Sequence, residues 1–144
     1  MEGLNILLVE DNEGDIFLIR EAFEEIKSKN NLEVVKNGEA ALNFLSNSDK
    51  CKDKKLPDLI IMDINIPKIN GHEVLEKVKR NSNWKHIPII ILTTSSSKLD
   101  ILKSYEKMAN CHIVKPNEGE EFSQVIQNIE NFWTNTVILP PKKD

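Results

Sequence analysis

Apolar residues gather in five short runs along the chain: NILLV (5–9), LEVV (32–35), LIIM (59–62), IIIL (89–92) and CHIV (111–114). Several are apolar throughout instead of alternating, which is the pattern of parallel strands covered on both faces. Between the runs the apolar positions change to helical spacing. Ile16, Ile19, Phe23 and Ile26 form one such set, and Val74, Leu75 and Val78 another. Ile101, Tyr105 and Met108 follow, then Phe122, Val125, Ile126, Ile129, Phe132 and Trp133. A shorter helix from Ala40 to Leu45 follows Asn37-Gly38, and Gly71 stands at the start of the third helix. The order is strand then helix, five times over. Such an order predicts an α/β doubly wound five-stranded parallel sheet with five helices and right-handed crossovers.

The connections refine this outline. SDKCKDKKLPD (48–58) is charged and ends near a proline. It reads as a solvated loop, with contact to a partner as the weaker alternative. After the fifth helix only TNTVILPPKKD (134–144) remains, too short for another domain. The expectation is one domain over 1–135 and a tail over 136–144, with no separate output domain. Val137 to Leu139 either lie back on the sheet or dock on a partner.

Composition narrows the class. The 144 residues are 40% hydrophobic and 29% charged, enough for a core, with too little Gly and Pro for disorder. The formal net charge of -4 disfavours sequence-independent DNA binding. Cys51 and Cys111 form no C-x-x-C and no metal spacing with histidine, so they read as reduced thiols of a cytoplasmic protein. The N-terminus, MEGLNILLVEDN, has neither the basic start nor the length of a signal peptide or membrane span.

The candidate chemistry sits at strand ends. Glu10 and Asp11 follow the first strand, Asp63 the third, Thr93 and Thr94 the fourth, and Lys115 the fifth. With strand order 2-1-3-4-5, the first and third strands flank the point where the order reverses, where ligands bind in such sheets. Two carboxylates about 5 Å apart repel by roughly 3 kcal/mol at an effective dielectric near 20. Against a net stability of about 5–15 kcal/mol, three acids there need neutralising. A hard divalent cation such as Mg²⁺ suits oxygen ligands, and Lys115 adds a further charge. The set fits phosphoryl transfer with Asp63 as nucleophile, since a carboxylate needs no general base. Taken singly, Asp11 also reads as a helix N-cap, Asp15 as a first-turn helix acid and not a ligand, Thr93 as a strand-end hydroxyl and Lys115 as a solvated cation. Asp63 resists such readings, because burial beside Ile60, Ile61 and Met62 is costly without a partner.

LLVEDN (7–12), IIMDINIPKING (60–71), PIIILTTS (88–95) and IVKP (113–116) together resemble the receiver domain of two-component response regulators, over nearly the whole chain. The resemblance implies a flavodoxin-like fold, Asp63 as phosphoacceptor, and Mg²⁺ held by Asp11, Asp63 and the Asn65 carbonyl, with Glu10 acting through metal-bound water. It implies Thr93 as switch hydroxyl, Lys115 as the phosphate-pairing lysine, and Pro67, Gly71 and Pro116 as loop-shaping residues. The Lys115–Pro116 bond is expected to be cis. Two positions depart from the family pattern: His112 replaces the usual Tyr or Phe of the aromatic switch, and Thr94 replaces a smaller residue. EDNEGD (10–15), LTTS (92–95) and the ending NFWTNTVILPP (131–141) are similar to phytochrome-associated single-domain regulators. That subgroup implies a phytochrome-like sensor histidine kinase as donor, a downstream protein target, and homodimers through the fourth and fifth helices and the tail.

Two other functions compete with this reading. A phosphatase or phosphotransferase using an aspartyl phosphate places an acid two residues after the nucleophile, where this chain has Asn65. A phosphate-independent interaction domain would be favoured by loss of Asp11, Asp63 or Lys115, and all three are present. The expectation is a phosphoacceptor signalling protein and not an enzyme.

Overall fold

The computed structural model describes residues 2–50 and 55–141. Five strands alternate with five helices: β1 (Glu2–Val9), α1 (Glu13–Glu24), β2 (Lys29–Val35), α2 (Gly38–Lys50), β3 (Leu59–Met62), α3 (Gly71–Arg80), β4 (Ile89–Thr93), α4 (Lys98–Glu106), β5 (Cys111–Val114) and α5 (Gly119–Asn131). The strands are parallel and ordered β2-β1-β3-β4-β5. The predicted sheet and its order are thus observed.

The unbroken apolar strands are the central ones. Every residue of β3 and β4 is buried, whereas β2 alternates between exposed and half-buried and lies at an edge. Successive side chains point to opposite faces, so β1 divides its residues. Leu7 and Val9 pack with Ile60, Met62, Ile89 and Ile91 under Ala41, Leu45, Val74, Leu75 and Val78 of α2 and α3. Ile6 and Leu8 pack with Ile61, Ile90 and Leu92 under Ile19, Phe23, Phe122, Ile126 and Ile129 of α1 and α5. The two-sided covering leaves the carboxyl ends of the strands open at one edge.

Helix starts follow their caps. Asn12, Asn70 and Ser97 each accept a hydrogen bond from the backbone N–H three residues on, and so begin α1, α3 and α4. The cap of α1 is therefore Asn12 and not Asp11.

Three expectations shift. The second helix is longer than its apolar positions suggested and takes in Ser48 to Lys50, whose polar side chains hid it. Residues 51–54 of the expected loop lie outside the described residues. The fourth helix does not bury its apolar stripe: Leu99, Leu102 and Tyr105 are exposed, Met108 lies beyond the helix with φ of 73°, and Ser104 is its one buried residue. The tail leaves α5 through a π-helical turn (Phe132–Thr136). Leu139 packs back on the α1–α5 side of the core, while Ile138 is 98% exposed.

Candidate functional site at the carboxyl edge of the sheet

The ends of β1, β3 and β5 bring Glu10, Asp63 and Lys115 together. Backbone bonds fix the first two in place: Glu10 N–H donates to Val35 O at 3.0 Å and Asp63 N–H to Val9 O at 3.0 Å. The Lys115 ammonium lies 2.7 Å from Asp63 Oδ2, 2.8 Å from Glu10 Oε2 and 2.8 Å from Asp15 Oδ2. An ammonium has three protons, and all three are used. The second oxygens are also engaged. Glu10 Oε1 accepts from Asn12 N–H at 3.1 Å, and Asp63 Oδ1 from Asn65 N–H at 3.1 Å.

Asp15 is the residue that sequence reasoning set aside. It does stand in the first turn of α1, as expected, but it also reaches Lys115. No local spacing announces that contact, since Asp11 precedes the N-cap Asn12 and is not on the helix with Asp15. Asp11 is exposed and makes no hydrogen bond or ion pair among the described residues.

Burial sets the electrostatics. Glu10, Asp63 and Lys115 are 1%, 6% and 8% exposed. Desolvation pushes the Glu10 carboxyl from 4.5 up to about 7; the Lys115 hydrogen bond opposes this and the Asp63 charge adds to it. Burial alone lowers the Lys115 pKa, but the hydrogen bonds it donates to Asp15, Asp63 and Glu10 overcome it and the pKa is raised. Lys115 is therefore a buried permanent cation and not the solvated lysine that its position alone suggested.

The loop after β3 is shaped by close backbone packing. A Cβ on Gly71 would lie 2.3 Å from the Asp63 carbonyl oxygen, so only glycine fits there. Gly71 N–H donates to Ile64 O at 2.9 Å, and Pro67 O accepts from Gly38 N–H at 3.3 Å. Lys68, next to Pro67, adopts φ of 69°. No peptide bond among the described residues is cis, so Lys115–Pro116 is trans, contrary to expectation. Trans is the favoured isomer of such bonds by about 0.5–1 kcal/mol, and with it Lys115 reaches all three acids.

Thr93 is wholly buried at the end of β4; its Oγ1 accepts from Ser95 N–H at 3.4 Å and its carbonyl from Lys115 N–H at 2.7 Å. Thr94 is exposed. His112 is not in the acid cluster. Its Nε2 donates to Ser95 O at 3.0 Å and its Nδ1 lies 2.9 Å from Ser104 Oγ.

Oxygen donors and surplus negative charge suit a hard divalent cation. Yet among the described residues no three His, Cys, Asp or Glu side chains form a metal-holding group. Lys115 stands at the centre and draws one oxygen from each of three acids. The donor set fits such an ion in its chemistry, and the side chains must turn outward from Lys115 to hold it.

The family model for the response regulator receiver domain matches residues 6–127. The chain belongs to this family. Response regulator Rcp1 of Synechocystis is 38% identical over 135 residues, covering 94% of this chain and 92% of that protein. The phosphorylated cyanobacterial phytochrome response regulator RcpA superposes with a TM-score of 0.90 at 37% identity, covering 96% of this chain and 99% of that one. The Mn²⁺-bound form of Rcp1 gives a TM-score of 0.88 at 37% identity, with the same coverage. This receiver domain is thus a two-component signalling protein of the flavodoxin-like fold, related to phytochrome response regulators. No helix among its described residues is long and apolar enough to cross a membrane.

Proposed function

We propose that Asp63 is the phosphoacceptor and that its phosphorylation resets a protein-interaction surface. The observation that carries this reading is the buried Lys115 ammonium held by Glu10, Asp15 and Asp63 at one sheet edge. Asp63 pairs with that cation, and a carboxylate nucleophile needs no general base. One of its oxygens bonds to phosphorus as the N–P bond of a kinase phosphohistidine breaks and its electron pair returns to the imidazole nitrogen. Lys115 releases a carboxylate and donates to a phosphoryl oxygen. Thr93 turns its hydroxyl to another. Asp15 is the most exposed of the three partners, with a side chain 22% accessible, and is the cheapest to release.

Glu10, Asp11, Asp63 and the Asn65 carbonyl would hold Mg²⁺, which when bound neutralises charge on the phosphoryl oxygens. Solution of the related Rcp1 with Mn²⁺ supports a divalent ion of this class. Asn65 offers no acid or base to an attacking water, so hydrolysis of the aspartyl phosphate is slow and no small phosphomonoester is turned over. Thr94, exposed beside Thr93, narrows access to the site.

The donor is a sensor histidine kinase of phytochrome type, a reading supported by the phytochrome response regulator RcpA. The site belongs in the cytoplasm, where such kinases place their phosphohistidines. The domain comprises 1–135 and the tail 136–144. Exposed Leu99, Leu102 and Tyr105 on α4, with Phe132 and Ile138, form the surface for a homodimer or a downstream protein. The acidic charge speaks against direct DNA contact.

The test is modification by acetyl phosphate, or binding of beryllofluoride, with Mg²⁺. Wild type responds and Asp63→Asn does not; equal response of both removes the assignment. Gel filtration with and without beryllofluoride reads the dimer.

A further inference from the structure

The loop that carries Asp63 and Asn65 rests on the start of α2. Gly38, the first residue of that helix, is buried, and its N–H donates to Pro67 O at 3.3 Å. A Cβ on Gly38 would lie 2.0 Å from Ile69 O and 2.8 Å from Ile69 Cβ. No glycine among the described residues has a positive φ, so Gly38 is needed for room and not for its backbone angles. Asn37 stands before it and accepts from Ala40 N–H at 2.7 Å on its Oδ1. The Asn37-Gly38 pair, which in the sequence marks a helix start, is also a contact with the site.

The contact falls where the loop is strained. Lys68 lies between Pro67 and Ile69 and holds φ of 69°, a region unfavourable to a residue with a side chain. Such a conformation persists only where the surroundings fix it. Here Gly38 fixes Pro67, and Ile69 is half-buried against the α2–α3 side of the core. The other half of the loop is tied separately. Ile64 and Ile66 are buried, Ile66 N–H donates to Ile64 O at 3.1 Å, and Asn65 N–H donates to Asp63 Oδ1 at 3.1 Å. Asn65 is exposed between the two isoleucines. The direction of its carbonyl is therefore set by Ile64 on one side and by the Lys68 turn on the other.

We propose that Gly38 is a positioning residue of the site: it clamps the Lys68 turn, so that occupancy of the site and the order of the first turn of α2 depend on one another. The inference rests on the phosphoacceptor reading above, through the Asn65 carbonyl as a metal ligand. Gly38 touches neither the metal nor the phosphoryl group and acts through Pro67 and Ile69. A side chain there pushes Ile69 away from α2 and turns the Asn65 carbonyl off the metal. The dependence also runs from loop to helix. The first N–H groups of a helix have no partner within it, and Pro67 O serves the one on Gly38. Coupling between sites is reciprocal, so a metal that steadies the loop also steadies the start of α2.

A second glycine separates this role from loss of stability. A Cβ on Gly3, at the amino end of β1, would lie 2.0 Å from Lys29 O. The approach is as close as that at Gly38, but it lies at the opposite edge of the sheet from Asp63.

Mg²⁺ affinity is to be measured by calorimetry for wild type, Gly38→Ala and Gly3→Ala, at a temperature where circular dichroism shows each protein folded. Gly38→Ala is expected to weaken Mg²⁺ binding by about fivefold or more, a modest coupling by the usual scale, while Gly3→Ala stays close to wild type. Without metal, the Asn65 amide resonance is expected to move in Gly38→Ala and to stay in place in Gly3→Ala. In wild type, hydrogen exchange at the Gly38 amide is expected to slow when Mg²⁺ and beryllofluoride are added. Equal Mg²⁺ affinity in all three proteins, or an equal loss in both variants, overturns the clamp. If Gly38→Ala does not fold, Ile69→Ala, which withdraws the loop's side chain from the same contact, is read against Gly3→Ala in the same way. Unchanged exchange at the wild-type Gly38 amide overturns the clamp whatever the variants do. Wild type that binds Mg²⁺ but not beryllofluoride removes the phosphoacceptor reading and leaves the clamp to be judged on Mg²⁺ alone. Wild type that binds neither removes both.

Discussion

Lys115 and Asp15 are 100 residues apart in sequence, yet their charged atoms meet at 2.8 Å. Asp15 takes the third proton of an ammonium whose other two serve Glu10 and Asp63. It is therefore a competitor for the donor that a phosphoryl oxygen needs. Asp15→Asn is expected to raise beryllofluoride affinity about tenfold, the low end of a charge-assisted hydrogen bond. Titration monitored by Trp fluorescence checks this, and unchanged or weaker binding rules out the competing role.

Removing the cation has a larger effect. Lys115→Met leaves Glu10 and Asp63 buried without their partner. The expected loss is about 3–5 kcal/mol of stability near neutral pH, the usual result of breaking a buried pair from one side. Divalent cation recovers part of that loss, because it neutralises the same oxygens. Urea melts with and without Mg²⁺ measure both effects.

Glu10 gives the site its pH dependence. Its folded pKa of about 7 lies above the ordinary 4.5, so the folded chain holds this proton more tightly than the unfolded chain. The stabilisation is complete below about pH 4.5 and is lost as pH rises through about 7. Metal binding needs the ionised carboxylate, so Mg²⁺ affinity runs the other way and rises through the same window with release of a proton. Calorimetric titrations from pH 5.5 to 8 show this. Glu10→Gln flattens the profile; an unaltered profile in that variant assigns the titration elsewhere.

The turn after β3 tolerates no side chain at Gly71. Its added Cβ would meet the Asp63 carbonyl oxygen at 2.3 Å and Ile64 Cα at 2.7 Å. Gly71→Ala is expected to cost about 1–3 kcal/mol, the range for overpacking, and to weaken beryllofluoride binding because Asp63 and Asn65 move with the loop. Chemical denaturation and the same fluorescence titration read the two effects. A fully stable variant would show that the loop opens at little cost.

The sheet was legible in the chain because burial on both faces leaves strands such as LIIM (59–62) and IIIL (89–92) apolar throughout. Most of the site was legible for a related reason. In a parallel sheet every strand ends at the same edge, so naming the residue after each run names Glu10, Asp63, Thr93 and Lys115 as neighbours. Helical spacing served α1, α3 and α5, which pack on the sheet, and misled at α4, whose apolar side chains face outward.

What the chain did not disclose depends on which atoms meet. Asn12 takes the cap, and Asp11 has no partner among the described residues; both are good caps by type, and only the backbone path chooses between them. Asp15 had an adequate local explanation, and its contact with Lys115 exists only after α1 and β5 are assembled on the sheet. Ser104 and His72 carry no signal at all, being a small polar residue and a lone histidine in helices. Strand periodicity and strand-end chemistry are local properties that the sequence determines by itself. A hydroxyl shared by histidines from α3 and β5 is set by the packing of three elements, and no spacing along one chain encodes it.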